Sequence, residues 1–85
     1  MKVIKRDGRV QEFDLDKLAR SIDAASDDAG EPLTESDLHN ISKDIEAILK
    51  SLGKEEITHD EIRKIVLDVL EKEGFKDIAK AYMRV

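Results

Sequence analysis

Leu18, Ile22, Ala25 and Ala29 recur at intervals of three and four, the spacing that gathers side chains on one face of a helix. Asp14 precedes them as an N-cap and Gly30-Glu31-Pro32 ends the run, which predicts a first helix over about 15–29. A second apolar stripe (Leu38, Ile41, Ile45, Ile48, Leu49, Leu52) follows Thr34-x-x-Asp37, a capping box with the shorter acid, and stops at Gly53, predicting a helix over about 35–52. Thr58-x-x-Glu61 is a full capping box. It opens a third helix over about 59–73, with Ile62, Ile65, Val66, Val69 and Leu70 on one side and Gly74 closing it. Phe75, Ile78, Ala79, Tyr82 and Met83 mark a short fourth helix over about 75–84, with Tyr82 and Met83 read as core fillers. The links are short, so successive helices should pack as antiparallel neighbours.

Ahead of the helices the period changes. Residues 2–6 and 9–13 flank Asp7-Gly8, a pair suited to a two-residue type I′ turn, so about 2–13 reads as a β-hairpin. That turn sets Val3 opposite Glu12, Ile4 opposite Gln11 and Lys5 opposite Val10, mixing apolar and charged side chains on each face. A lone ribbon is marginal in water and must lie on something. The expected fold is therefore α+β and mostly α: one domain, 1–85, in which a two-stranded hairpin caps a four-helix bundle.

Composition narrows the function. Aromatic residues are 4% of the 85 and charged residues 41%, so the core is aliphatic and the surface heavily ionic. With no cysteine there are no disulfides, thiolate metal sites or cysteine nucleophiles, which suits a reducing cytoplasm. The N-terminus has no apolar run long enough for a signal peptide or a membrane span. His39 and His59 are too sparse for an all-protein metal site, and no nucleophile elbow, P-loop or dinucleotide fingerprint occurs. The paired carboxylates all fall near helix ends on solvated faces. The expectation is a domain that is not an enzyme and has neither catalytic residues nor a protein-held metal.

The net charge of −5 hides an asymmetry: residues 1–20 hold six cations against four anions, leaving −7 on the rest. Any anionic partner should meet the N-terminal end, while the acidic remainder argues against nucleic acid as a partner of this domain alone. Lys17 stands out, because a cation in the first turn of a helix opposes the dipole by roughly 0.3–1 kcal/mol. With Lys5 and Arg6 a hairpin away, a phosphate would turn that repulsion into attraction and would also use the helix N-terminal amides. The plainer reading is that Asp14 and Asp16 neutralise Lys17.

The run from Val3 to Leu18, Val3-Ile4-Lys5-Arg6-Asp7-Gly8-Arg9-Val10-Gln11-Glu12-Phe13-Asp14-Leu15-Asp16-Lys17-Leu18, resembles the opening signature of the ATP-cone domain. That module senses nucleotides in ribonucleotide reductase large subunits and in the repressor of their genes. Ile57-Thr58-His59-Asp60-Glu61-Ile62 is similar to the start of the family's third helix, and Ala79-Lys80-Ala81-Tyr82 to its closing helix.

The resemblance implies ATP or dATP, with Mg²⁺ on the phosphates, bound between hairpin and helices as an allosteric effector. Carried onto this chain, Val3 contacts the base or closes over it, Lys5, Arg6 and Lys17 hold phosphates, Gln11 and Asp14 help recognise adenine, and Leu18 belongs to the same nucleotide site. His59 and Arg63 fall near ribose and phosphates. Gln11 replaces a common Glu, and His59 a common small hydroxyl residue. The implied partner is an effector domain or subunit absent from this chain, with nucleotide-dependent self-association as a further mode and no membrane contact. The competing readings are a nucleotide-free helical interaction module on the same scaffold and a nucleic-acid binder acting through the basic N-terminus.

Overall fold

The structure is a computed structural model and describes residues 1–84. Its elements are β1 (Lys2–Ile4), β2 (Val10–Glu12), α1 (Leu15–Asp28), α2 (Glu35–Ser51), β3 (Glu56–Thr58), α3 (His59–Lys72) and α4 (Lys76–Tyr82). It is a mostly helical α+β fold in which α1 packs on α2 and α4, and α3 packs on α2 and α4.

The sheet corrects the two-stranded expectation. β3 pairs parallel to β1, with Val3 beside Ile57 and Ile4 beside Thr58, so the strand order is β2-β1-β3 and β1 is central. The amide of Lys2 extends the pairing by donating to the Glu55 carbonyl at 2.8 Å. Three residues with one buried side chain, Ile57, give no alternation to read, and the capping box behind them reads only as a helix start.

The hairpin register is also corrected, by one residue. Val3 faces Gln11, Lys2 faces Glu12 and Ile4 faces Val10. A type I′ turn needs positive φ at both Asp7 and Gly8, and among the described residues only glycines adopt it, Gly8 at 88°. The Gly8 amide donates to the Lys5 carbonyl at 3.0 Å and the Lys5 amide to the Arg9 carbonyl at 2.7 Å, so the loop is a three-residue turn ending in a left-handed glycine. The consequence is an ordered division of faces. Val3, Lys5, Gln11 and Phe13 share the side turned to the helices, and Lys2, Ile4, Val10 and Glu12 the other.

Each long helix begins at a side-chain cap. The Asp14 carboxylate accepts from the amides of Asp16 and Lys17, Thr34 Oγ1 from that of Asp37, and Thr58 Oγ1 from that of Glu61. Asp37 adds no reciprocal bond, so the second capping box is a simple cap. α3 ends where Gly74, at φ 88°, lets the Phe75 amide donate back to the Leu70 carbonyl at 2.8 Å, which turns the chain directly into α4.

The core is aliphatic: Ile22, Ile41, Ile45, Ile57, Val66, Leu70 and Ile78 are fully buried. Ile48, Leu52 and Met83, assigned to apolar faces by their spacing, are exposed instead. α2 has 17 residues against 14 in α1 and α3, and helical period marks a face without saying how far the neighbours reach along it. Met83 lies past the last residue of α4.

Candidate functional site

A cleft of about 220 Å³ opens between the hairpin, the first turns of α1 and α3, and the end of α4. Pleat and helix period bring its walls together. β1 contributes Val3 and, just beyond it, Lys5; β2 contributes Gln11; Asp14, Lys17, Leu18 and Ser21 follow at helical spacing on one face of α1. α3 adds His59, Ile62 and Arg63, again one face, and α4 adds Tyr82. Eight of the nine residues singled out in the sequence line this cleft. Arg6 does not: it points to a neighbouring groove of about 330 Å³ that it shares with Lys5, Asp7, Arg9 and His59. Ser21, Ile62 and Tyr82 are wall residues the sequence reading did not single out. The first two continue the helical spacing of Leu18 and His59, which is the signal that finds them.

The cleft has an apolar floor and a cationic rim. Val3, Ile62 and Tyr82 are buried, and Leu18 packs against the core. Among the described residues neither Lys5 nor Lys17 forms an ion pair within 4 Å, so the plainer reading of Lys17 as neutralised by Asp14 and Asp16 has no direct contact behind it. Asp14 Oδ1 accepts instead from the amides of Asp16, at 3.0 Å, and Lys17, at 3.2 Å. This corrects a second expectation. Those two amides are satisfied within the chain, so the attraction for an anion comes from ammonium groups more than from the start of α1.

The remaining polar groups are tethered to different degrees. Arg63 donates to the Met83 carbonyl, fixing α3 to the end of α4. Arg6 Nε donates to Asp60 Oδ1 at 3.1 Å, tying the hairpin loop to α3, and this guanidinium holds the Asp60 carboxyl below its ordinary range. His59 Nδ1 is buried without a hydrogen-bond partner, 3.7 Å from Asp60 Oδ1, at the junction of cleft and groove. A buried polar atom left unpaired is costly unless a ligand or water meets it.

A narrow cleft with an apolar base, unpaired cations at its mouth and carboxylate and amide acceptors inside is suited to a small molecule with a flat apolar part and an anionic tail. That make-up defines a small-molecule-binding domain whose ligand carries negative charge. The chain belongs to the ATP-cone family, whose model, the ATP cone domain, matches residues 1–85.

Curated relatives give the setting. The chain is 42% identical over 72 residues to the transcriptional repressor NrdR of Microcystis aeruginosa, covering 85% of this chain and 41% of that protein. It is 38% identical over 82 residues to NrdR of Brucella anthropi, covering 91% and 46%. A third repressor of that name, from Crocosphaera subtropica, is 38% identical over 72 residues, covering 85% and 37%. The chain thus spans less than half the length of these relatives. They are transcriptional repressors, and this overturns the expectation that nucleic acid is an unlikely partner for this domain alone. Net charge describes only the field of the residues counted, and that is too little to decide the partner.

Proposed function

We propose that this is a non-catalytic allosteric domain that binds ATP or dATP in the cleft and signals occupancy to a partner domain or subunit. The observation that carries the reading is the convergence of two unpaired ammonium groups, Lys5 after β1 and Lys17 on α1, on one apolar-floored cleft. Adenine lies on Val3, Leu18 and Ile62, with its amino group donating to Gln11 and to Asp14, whose Oδ2 takes no part in the cap. The phosphates run towards Lys5 and Lys17, with Arg6, His59 and Arg63 around them. Mg²⁺ enters on the phosphates, whose oxygens are its preferred ligands. No helix among the described residues is long and apolar enough to cross a membrane, and the proposed setting is the cytoplasm.

The relatives favour a transcriptional setting, in which occupancy is relayed to a DNA-binding region and tracks the nucleotide supply of ribonucleotide reductase. Nucleotide-dependent self-association is one form the relay can take, visible as a change of size with ATP or dATP. Signalling of this kind needs two states that differ in nucleotide affinity.

Thermal melts test the binding. Ligand at 100 times Kd adds about 2.7 kcal/mol to the native state, a rise in Tm of roughly 10–20 °C for a domain of this size. Lys5→Ala and Lys17→Ala should each weaken ATP about tenfold while leaving the ligand-free melt in place, since both are surface cations without an ion pair. Melts unmoved by millimolar ATP and Mg²⁺ would leave the nucleotide-free module as the correct description.

A further inference from the structure

The groove at the hairpin loop contains an arrangement that the cleft does not explain. Two arginines border it, and both are tied by Nε to a carboxylate: Arg6 to Asp60 Oδ1 at 3.1 Å, and Arg9 to Asp7 Oδ2 at 2.6 Å. No terminal nitrogen of either guanidinium is hydrogen-bonded among the described residues. A guanidinium has five N–H donors in a planar fork, so each keeps four after the Nε contact. With side chains 63% and 70% exposed, these ion pairs add little to stability, and their effect is to restrict where each fork can point.

Lys5 and His59 line both groove and cleft, so the two cavities meet at these residues. A nucleotide with its base in the cleft would reach the groove, past Lys5 and His59, with its outermost phosphates. We propose that Arg9, together with Arg6, forms a seat for the terminal phosphate, and that this seat makes the domain read the number of phosphates as well as the base. Asp7 and Asp60 are positioning residues: each holds one fork through Nε and leaves the paired terminal N–H groups for an oxyanion, the geometry in which arginine binds phosphate best. The inference rests on the nucleotide reading of the cleft and assigns the groove a role of its own.

Calorimetry on the domain with ATP, ADP and AMP tests it. Arg9→Gln should cost ATP about tenfold in affinity, leave AMP within twofold, and so collapse the preference for the triphosphate. Arg9→Lys keeps the charge but not the fork and should recover only part of the loss. Asp60→Asn should weaken ATP and not AMP, and should add little to Arg6→Gln, because it acts through Arg6. An Arg9→Gln variant with an unchanged ATP-to-AMP ratio, or with both weakened alike, overturns the seat while leaving the nucleotide site intact. Wild-type protein that takes up no ATP overturns both.

Discussion

Val3 and Ile57 lie side by side in parallel register, joining the first strand of the chain to the residue before the α3 cap. Val3 is also in the floor of the cleft, and Ile57, 1% exposed, is what holds that floor to the bundle. Ile57→Ala should cost about 2–5 kcal/mol by denaturant unfolding, the range for truncating a buried isoleucine. It should also weaken nucleotide under conditions where the protein remains folded. A loss below about 1 kcal/mol would mean that β3 is an ornament of the sheet and not its anchor.

Thr58 ends β3 and caps α3. Its hydroxyl accepts from the Glu61 amide and donates to the Glu61 carboxylate, both at 3.1 Å, while Lys54 Nζ holds the other oxygen at 2.9 Å. Lys54 and then Thr58 keep the Glu61 carboxyl below its ordinary range. Thr58→Ala should cost about 1 kcal/mol. In the same variant an NMR titration should find Glu61 shifted upward yet still depressed by Lys54. The sign for stability follows: Glu61 favours the fold above its unfolded pKa, and that support disappears as pH falls through the lower folded value.

Glu73 behaves in the opposite sense. Partial desolvation, and then the Asp44 carboxylate across from it on α2, push the carboxyl of this surface residue above the ordinary range. A raised acid supports the fold fully below its unfolded pKa and loses that support as pH rises through the folded one. Glu73→Gln should therefore melt higher than wild type at pH 7, with the gap closing as the pH is lowered towards 4.5. Melts whose difference is constant between pH 4 and 7 would show that Glu73 is not the group responsible.

The three long helices were legible because each carries two independent marks, a 3.6-residue apolar period and a cap at its start, and Asp14, Thr34 and Thr58 all act as caps. β3 has neither mark. The hairpin register was misread because Asp7-Gly8 fits two loops, a two-residue one with both residues at positive φ and a three-residue one that takes in Arg6 and needs positive φ only at the glycine. In the site, residues local to the hairpin and α1 could be assembled from one stretch of sequence. The diversion of Arg6 could not, because its partner Asp60 lies 54 residues away in an element whose approach depends on the unseen strand. Arg9 is a different case: its partner Asp7 is only two residues away, but the direction in which that contact turns its fork follows from the loop geometry and not from the residue order.

The middle position of β1 has a consequence for assembly. This strand is made before its partner β3, so one of its two edges cannot be closed until Glu56–Thr58 arrive, and the cleft above it still lacks a wall until Tyr82 docks. Such distant closures are slow relative to helix formation, since chain entropy is spent before the contact is made. A nascent or nicked chain therefore has helices long before it has a binding site, and bound nucleotide certifies a finished domain.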